Sequence, residues 1–219
     1  MNKCLRLLPL LAALPSFAQD LQIPRITPHI TLPAPTPAPR EPTNPPARDV
    51  RDPRAGIQFH LPAGWNTSRT DGELSTFRTD ARTAPAATRF SMVAALGFNP
   101  YPSSTFASAL VYVSTTPRVT PEACAAQATA APAQPAPKTM VAGQPFDRGH
   151  DEYGKICTEA RDDIFTAMHA GTCVRFDLAI NTFCGGEVSG ARDMTERELE
   201  NIHLRMESIL ATVKFAGSK

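Results

Sequence analysis

Cys157 to Cys184 reads CTEARDDIFTAMHAGTCVRFDLAINTFC, and the fold turns on this stretch. From Thr172 to Phe183 the chain alternates: Val174, Phe176, Leu178 and Ile180 share one parity, Arg175, Asp177 and Asn181 the other. Successive side chains of a strand point to opposite faces, so this period marks a strand with one face buried. Ile164 to Met168 is a second apolar run, joined to the first by His169-Ala170-Gly171-Thr172. Gly171 has no Cβ to clash in the left-handed region and suits a tight turn. With His169 opposite Thr172, Phe165 faces Phe176, Ala167 faces Val174, and Cys157 faces Cys184. Facing Cβ atoms lie about 4.5–5.5 Å apart, close to disulfide range.

That pairing needs an oxidising compartment, and the N-terminus supplies an address for one. Residues 1–18 read as a secretory signal peptide: Lys3 and Arg6, the apolar run Leu7 to Leu14, then Ser16-Phe17-Ala18 with small residues where a signal peptidase needs them. The apolar run is too short to span a bilayer. No later segment approaches the roughly 20 apolar residues needed, so no membrane span is expected. Cys4 precedes the apolar run, where a lipid-anchor cysteine would follow it. Cleavage after Ala18 leaves Cys124, Cys157, Cys173 and Cys184, an even set that favours two disulfides over a metal site. Of three possible connectivities, the expected pairs are Cys157–Cys184, from the hairpin register, and Cys124–Cys173. The mature chain then carries 20 Lys and Arg against 21 Asp and Glu, with no basic run that would point to nucleic acid.

Residues 19–54 hold ten prolines among Ala, Thr and Arg. Such a segment buries too little apolar surface to order itself, so a disordered, semi-stiff spacer is expected. A single α+β domain is expected over 55–216. Ile57 to Leu61 alternates as a strand ending at Pro62. Leu74 to Thr79, a strand within Thr88 to Phe98, and Ala107 to Thr115 follow. Thr120 caps a helix with Pro121 at its first position, running to Ala131. Lys138 to Ala142 and Pro145 to Asp151 read as short strands leading into the hairpin. Beyond Gly185-Gly186, Thr195 and Glu198 have capping-box spacing. Leu199, Ile202, Met206, Ile209 and Leu210 then make one apolar stripe of an amphipathic helix.

The opening Gly56-Ile57-Gln58-Phe59-His60-Leu61-Pro62-Ala63-Gly64-Trp65 resembles the first strand and Pro-x-Gly-Trp turn of PsbP/Mog1-like domains. The closing helix running into Ile209-Leu210-Ala211-Thr212-Val213-Lys214-Phe215 is similar to how those domains end. The resemblance implies an antiparallel sheet flanked by two helices, an α-β-α sandwich, in a family whose members bind proteins or are uncharacterised exported and lipid-anchored bacterial proteins. None of that family's partner-binding residues can be placed on this chain, and the four cysteines depart from its pattern.

Chemical motifs are sparse. No GxSxG, HExxH, GxxxxGK[ST] or GxGxxG is present. The best constellation is Asp147, His150, Asp151 and Glu152, followed by Glu159, Asp162 and Asp163. Carboxylates and an imidazole so close together suit a divalent cation, although solvated charges on a strand explain them as well. Trp65 and Tyr101 are candidates for an aromatic partner surface. The Arg175 and Asp177 side of the hairpin is either a polar binding face or, if it lies under a helix, an ion pair needing internal partners. The expectation is an exported module, periplasmic or secreted, with no cofactor, that binds a protein or other envelope component. The alternative is an exported hydrolase or metal-dependent enzyme built on 147–163.

Overall fold

A computed structural model describes residues 41–75, 84–129, 137–185 and 190–216. Those residues fall within the unit Pro39–Lys219. In chain order the elements are β1 (Arg48–Asp52), β2 (Ile57–Leu61), β3 (Trp65–Ser68), β4 (Arg89–Leu96), β5 (Phe106–Pro117), α1 (Pro121–Ala125) with a 3-10 turn (Ala126–Ala128), β6 (Lys138–Val141), β7 (Gln144–Lys155), β8 (Thr158–His169), β9 (Thr172–Phe183), α2 (Glu196–Leu210) and β10 (Lys214–Phe215). Seven strands form one antiparallel sheet in the order β3-β4-β5-β9-β8-β7-β6, and β1-β2-β10 form a second.

The hairpin sits at the centre of the large sheet in the expected register. His169 pairs with Thr172, Phe165 with Phe176 and Thr158 with Phe183, with no slip. Ala170 (φ 46°) and Gly171 (φ 76°) both turn in the left-handed region, the conformation that matches a two-residue loop to strand twist. Both disulfides close as expected: Cys157–Cys184, with Cα atoms 4.5 Å apart, and Cys124–Cys173, with Cα atoms 5.4 Å apart.

One face of the large sheet carries Met92, Val111, Val113, Val174, Phe176 and Leu178. Helix α2 covers it with Ile202, Met206, Ile209 and Leu210, and the small sheet covers it with Ile57, Phe59 and Phe215. Phe146 stacks between Phe176 and Phe215, with centroids 6.1 and 6.0 Å away. The opposite face holds Val93, Leu110, Tyr112 and Ala179, and α1 with its 3-10 turn lies over part of it. There Gly149 passes so close that an added Cβ would sit 1.3 Å from the Ala128 carbonyl oxygen.

Several expectations change. Among the described residues the fold is mostly antiparallel sheet, with two helices and two disulfides. The α-β-α sandwich is met only in part, because a second sheet shares one face with α2, and α1 spans five residues. Thr120 caps α1 and Pro121 opens it as expected, but regular helix stops at Ala125, and 130–136 lie outside the described residues. The spacer expected over 19–54 ends earlier. Residues 48–52 are β1, paired along their length with β2. Buried Asp52 takes backbone hydrogen bonds from Arg54 (2.9 Å) and Ala55 (3.2 Å) and a hydroxyl bond from Ser91 of the other sheet. Proline content conceals this strand, since its five residues contain none. The signal peptide and most of the spacer lie outside the described residues, as does most of the strand expected over 74–79.

Candidate functional site

Strand parity organises the polar side chains of β7 and β8. Arg148, His150 and Glu152 take one face; Asp147, Gly149 and Asp151 take the other. His150 pairs with Asp163, and Glu152 with Arg161, across the ladder. His150 Nδ1 lies 3.0 Å from Asp163 Oδ1, and its Nε2 lies 3.2 Å from Glu152 Oε1. Helix α2 crosses the same face. His203 Nδ1 lies 2.9 Å from Asp163 Oδ2, and its Nε2 lies 2.9 Å from Glu207 Oε1, one helical turn on. Arg148 lies 3.7 Å from Asp163 and 3.6 Å from Glu207, with its guanidinium 5.3 Å above the Phe165 ring. At the other end Arg161 sits 3.7 Å from Glu152 and donates to Glu159 at 3.1 Å. A strip of alternating charge therefore runs from Glu159 to Glu207.

Each ring nitrogen of His203 faces a carboxylate, and only the imidazolium donates from both. The Asp163 hydrogen bond, working against burial and helped by Glu207, raises the His203 imidazole above its ordinary value. For Asp163, burial pushes the carboxyl up, and the bonds and charges of His203 and then His150 outweigh it, leaving it below the ordinary carboxylate range.

The strip leads into a cleft of about 350 Å³ between the open end of the hairpin and the start of α2. Glu159, Arg161, Phe183, Met194 and Leu199 line it together with both sulfur residues of the Cys157–Cys184 bridge. Ile156, on the adjoining β7–β8 turn, is 97 % exposed. Leu199, His203 and Glu207 are spaced four apart, so one line of α2 connects cleft and strip. The helix start is firmly built. Thr195 and Glu198 complete the capping box, and Arg192 binds the Glu198 carboxylate through both terminal nitrogens at 2.8 and 2.6 Å. That hydrogen bonding, against burial and with help from Thr195, holds the Glu198 carboxyl at about 2.

The structure redistributes the residues singled out in the sequence. Trp65 is 2 % exposed and belongs to the core, so it is no partner surface. Tyr101 is half-buried, and its hydroxyl meets Asn201 Nδ2 of α2 at 3.3 Å. Arg175 and Asp177 are not a surface either, since both are fully buried. Arg175 Nε reaches the two Asp177 oxygens at 2.8 and 3.0 Å, and Nη1 donates to the Gln127 carbonyl at 3.2 Å, under the 3-10 turn. Asp147, His150, Asp151 and Glu152 do not act together. Parity sends Asp147 to Lys138 (2.9 Å) and Asp151 to a position facing Asp162 on the opposite side of the sheet. Among the described residues no group of three or more His, Cys, Asp or Glu side chains is placed to hold a metal ion. In the strip itself each imidazole lies between two carboxylates. His203 and Glu207 carried a visible signal, their spacing of four. Their meeting with Asp163 depended on how α2 crosses the sheet.

No family model matches the chain, and no curated protein matches it. Among solved structures it is similar to cyanobacterial PsbP (CyanoP) from Synechocystis sp. PCC 6803, at 12% identity over 77% of this chain and 92% of that one, with a TM-score of 0.44. It is also similar to LpqN, involved in cell envelope biogenesis of Mycobacterium tuberculosis, at 12% identity over 77% and 90% of the two chains, with a TM-score of 0.38. A protein from Bacteroides thetaiotaomicron VPI-5482 shares 9% identity over 77% of this chain, with a TM-score of 0.40. This chain spans 48% of the Bacteroides protein's length. A PsbP domain, the family that the sequence resembles, is thus among the solved structures similar to this chain.

Proposed function

We propose that this chain is an exported, non-enzymatic accessory module of the cell envelope, which binds a protein or other envelope component in the cleft beside the Cys157–Cys184 bridge. The cleft carries the reading. Phe183, Met194 and Leu199 offer apolar area to bury, while Glu159 and Arg161 supply a few polar groups to orient what enters. The strip behind it supports binding over catalysis. Its imidazole nitrogens already contact carboxylates, which favours a held shape over a base kept ready for proton transfer. The signal-peptide pattern and two closed disulfides suit an oxidising compartment outside the cytoplasm. Among the described residues no helix is long and apolar enough to cross a membrane.

Photo-crosslinking side chains placed at Ile156, Phe183 and Leu204 in the native envelope test the proposal. One shared adduct from Ile156 and Phe183, and none from Leu204 on α2, is the expected result. Equal labelling from all three positions counts against the cleft. Turnover of an envelope substrate that disappears in H150N would replace binding with catalysis.

A further inference from the structure

The two disulfides occupy opposite environments. Cys124, on the buried side of α1, and Cys173, on β9 beneath it, are 1 % and 0 % exposed. Cys157 is exposed, Cys184 is half-buried, and both stand in the cleft wall. We propose that Cys157–Cys184 is a thiol–disulfide exchange site, opened in the folded protein by a dithiol reductant, while Cys124–Cys173 stays closed.

Exchange needs a thiolate to approach a sulfur of the bond, so access controls which bridge reacts. The cleft opens one bridge to that approach, and α1 closes the other. Exposed Ile156 and Phe183, each directly preceding one of the two cysteines, give a thiol-bearing partner apolar surface to cover as it arrives. The fold tolerates the opening. The β8–β9 ladder from His169–Thr172 to Thr158–Phe183 already holds the strands together, and the Cys184 amide donates to the Cys157 carbonyl at 3.3 Å. The bridge lies just past the last ladder pair. By contrast, Cys124–Cys173 ties α1 to β9, where sheet pairing supplies no substitute.

The reaction balances with the dithiol as sole co-reactant. Its thiolate attacks Cys157 Sγ, a new S–S bond forms, the Cys157–Cys184 bond breaks, and the electron pair leaves on Cys184 Sγ, which takes a proton from water. The second thiol then attacks the mixed disulfide and releases Cys157 as the thiol. The dithiol ends oxidised to a disulfide, and the protein has gained two electrons and two protons. The proposal goes beyond the binding role and does not depend on it: it concerns the bond, whatever occupies the cleft.

The test treats the mature full chain with graded dithiothreitol, quenches by alkylation and maps the modified peptides, with circular dichroism recorded alongside. Alkylation of Cys157 and Cys184 faster than that of Cys124 and Cys173 by about tenfold or more, with an unchanged spectrum, is expected. Opening of both bridges together, or only as the spectrum collapses, overturns the proposal. A C157A/C184A variant should fold with the same spectrum and lose the fast thiol-release phase. If that variant fails to fold, the bridge is a structural necessity and the proposal falls.

Discussion

Asp177 and Arg175 show what a single residue decides in this fold. Both side chains are fully buried on a sheet face, and each is the other's charge partner. Removing the carboxylate leaves a buried guanidinium, so D177A should cost about 3–5 kcal/mol in urea unfolding. D177N keeps an acceptor and should cost less. Gly149 decides the approach of α1 in the same way. A Cβ there meets the Ala128 backbone rather than a flexible side chain. G149A should therefore displace the 3-10 turn and lower the melting temperature by several degrees, which thermal unfolding reads directly. The sequence left the Arg175 and Asp177 face open between a polar surface and an ion pair under a helix, and it carried no sign of the close approach at Gly149. Arg175 and Asp177 have the parity of a solvent face, and only the cover provided by α1 makes that face an interior one.

At the scale of elements, the contact between α2 and the β7–β8 ribbon carries a pH dependence. His203 is raised, so its contribution to stability is complete below its ordinary value near 6.5 and is lost as pH rises through the higher folded value. Asp163 is lowered, so its contribution is present above its ordinary value near 3.8 and is lost as pH falls through the lower folded value. The ion pair therefore stabilises most in the mildly acidic window between those values. The urea midpoint should be higher at pH 5.5 than at pH 8, and H203Q should shrink the difference. Arg148 and His150 from β7 and Glu207 from α2 also face this pair. The capping box, the apolar stripe and the hairpin were all legible, because helix and strand periods are local. Their juxtaposition was not: a period assigns a face to an element without saying which other element that face will meet.

For the whole molecule, the small sheet draws residues 48–52 into the fold. Strand β1 lies inside the stretch whose composition reads as spacer, yet it closes the edge of β2. Val50 packs on the core, and Asp52 reaches across to Ser91 of the large sheet. A chain beginning at residue 55 should be less stable than one beginning at residue 41 by about 2 kcal/mol or more, and limited proteolysis should cut it faster. Equal stability would return β1 to the spacer. Alternation in 172–183 and the turn at Gly171 were enough to set the central register, and with it the Cys157–Cys184 bridge. Pairing there follows from period two and one short loop. The charged strip, the cleft and the burial of Arg175 and Asp177 came only with the tertiary structure. They join residues from β7, β8, β9, α1 and α2, and the crossing of a helix over a sheet is chosen by packing of the whole core rather than by any local run of residues.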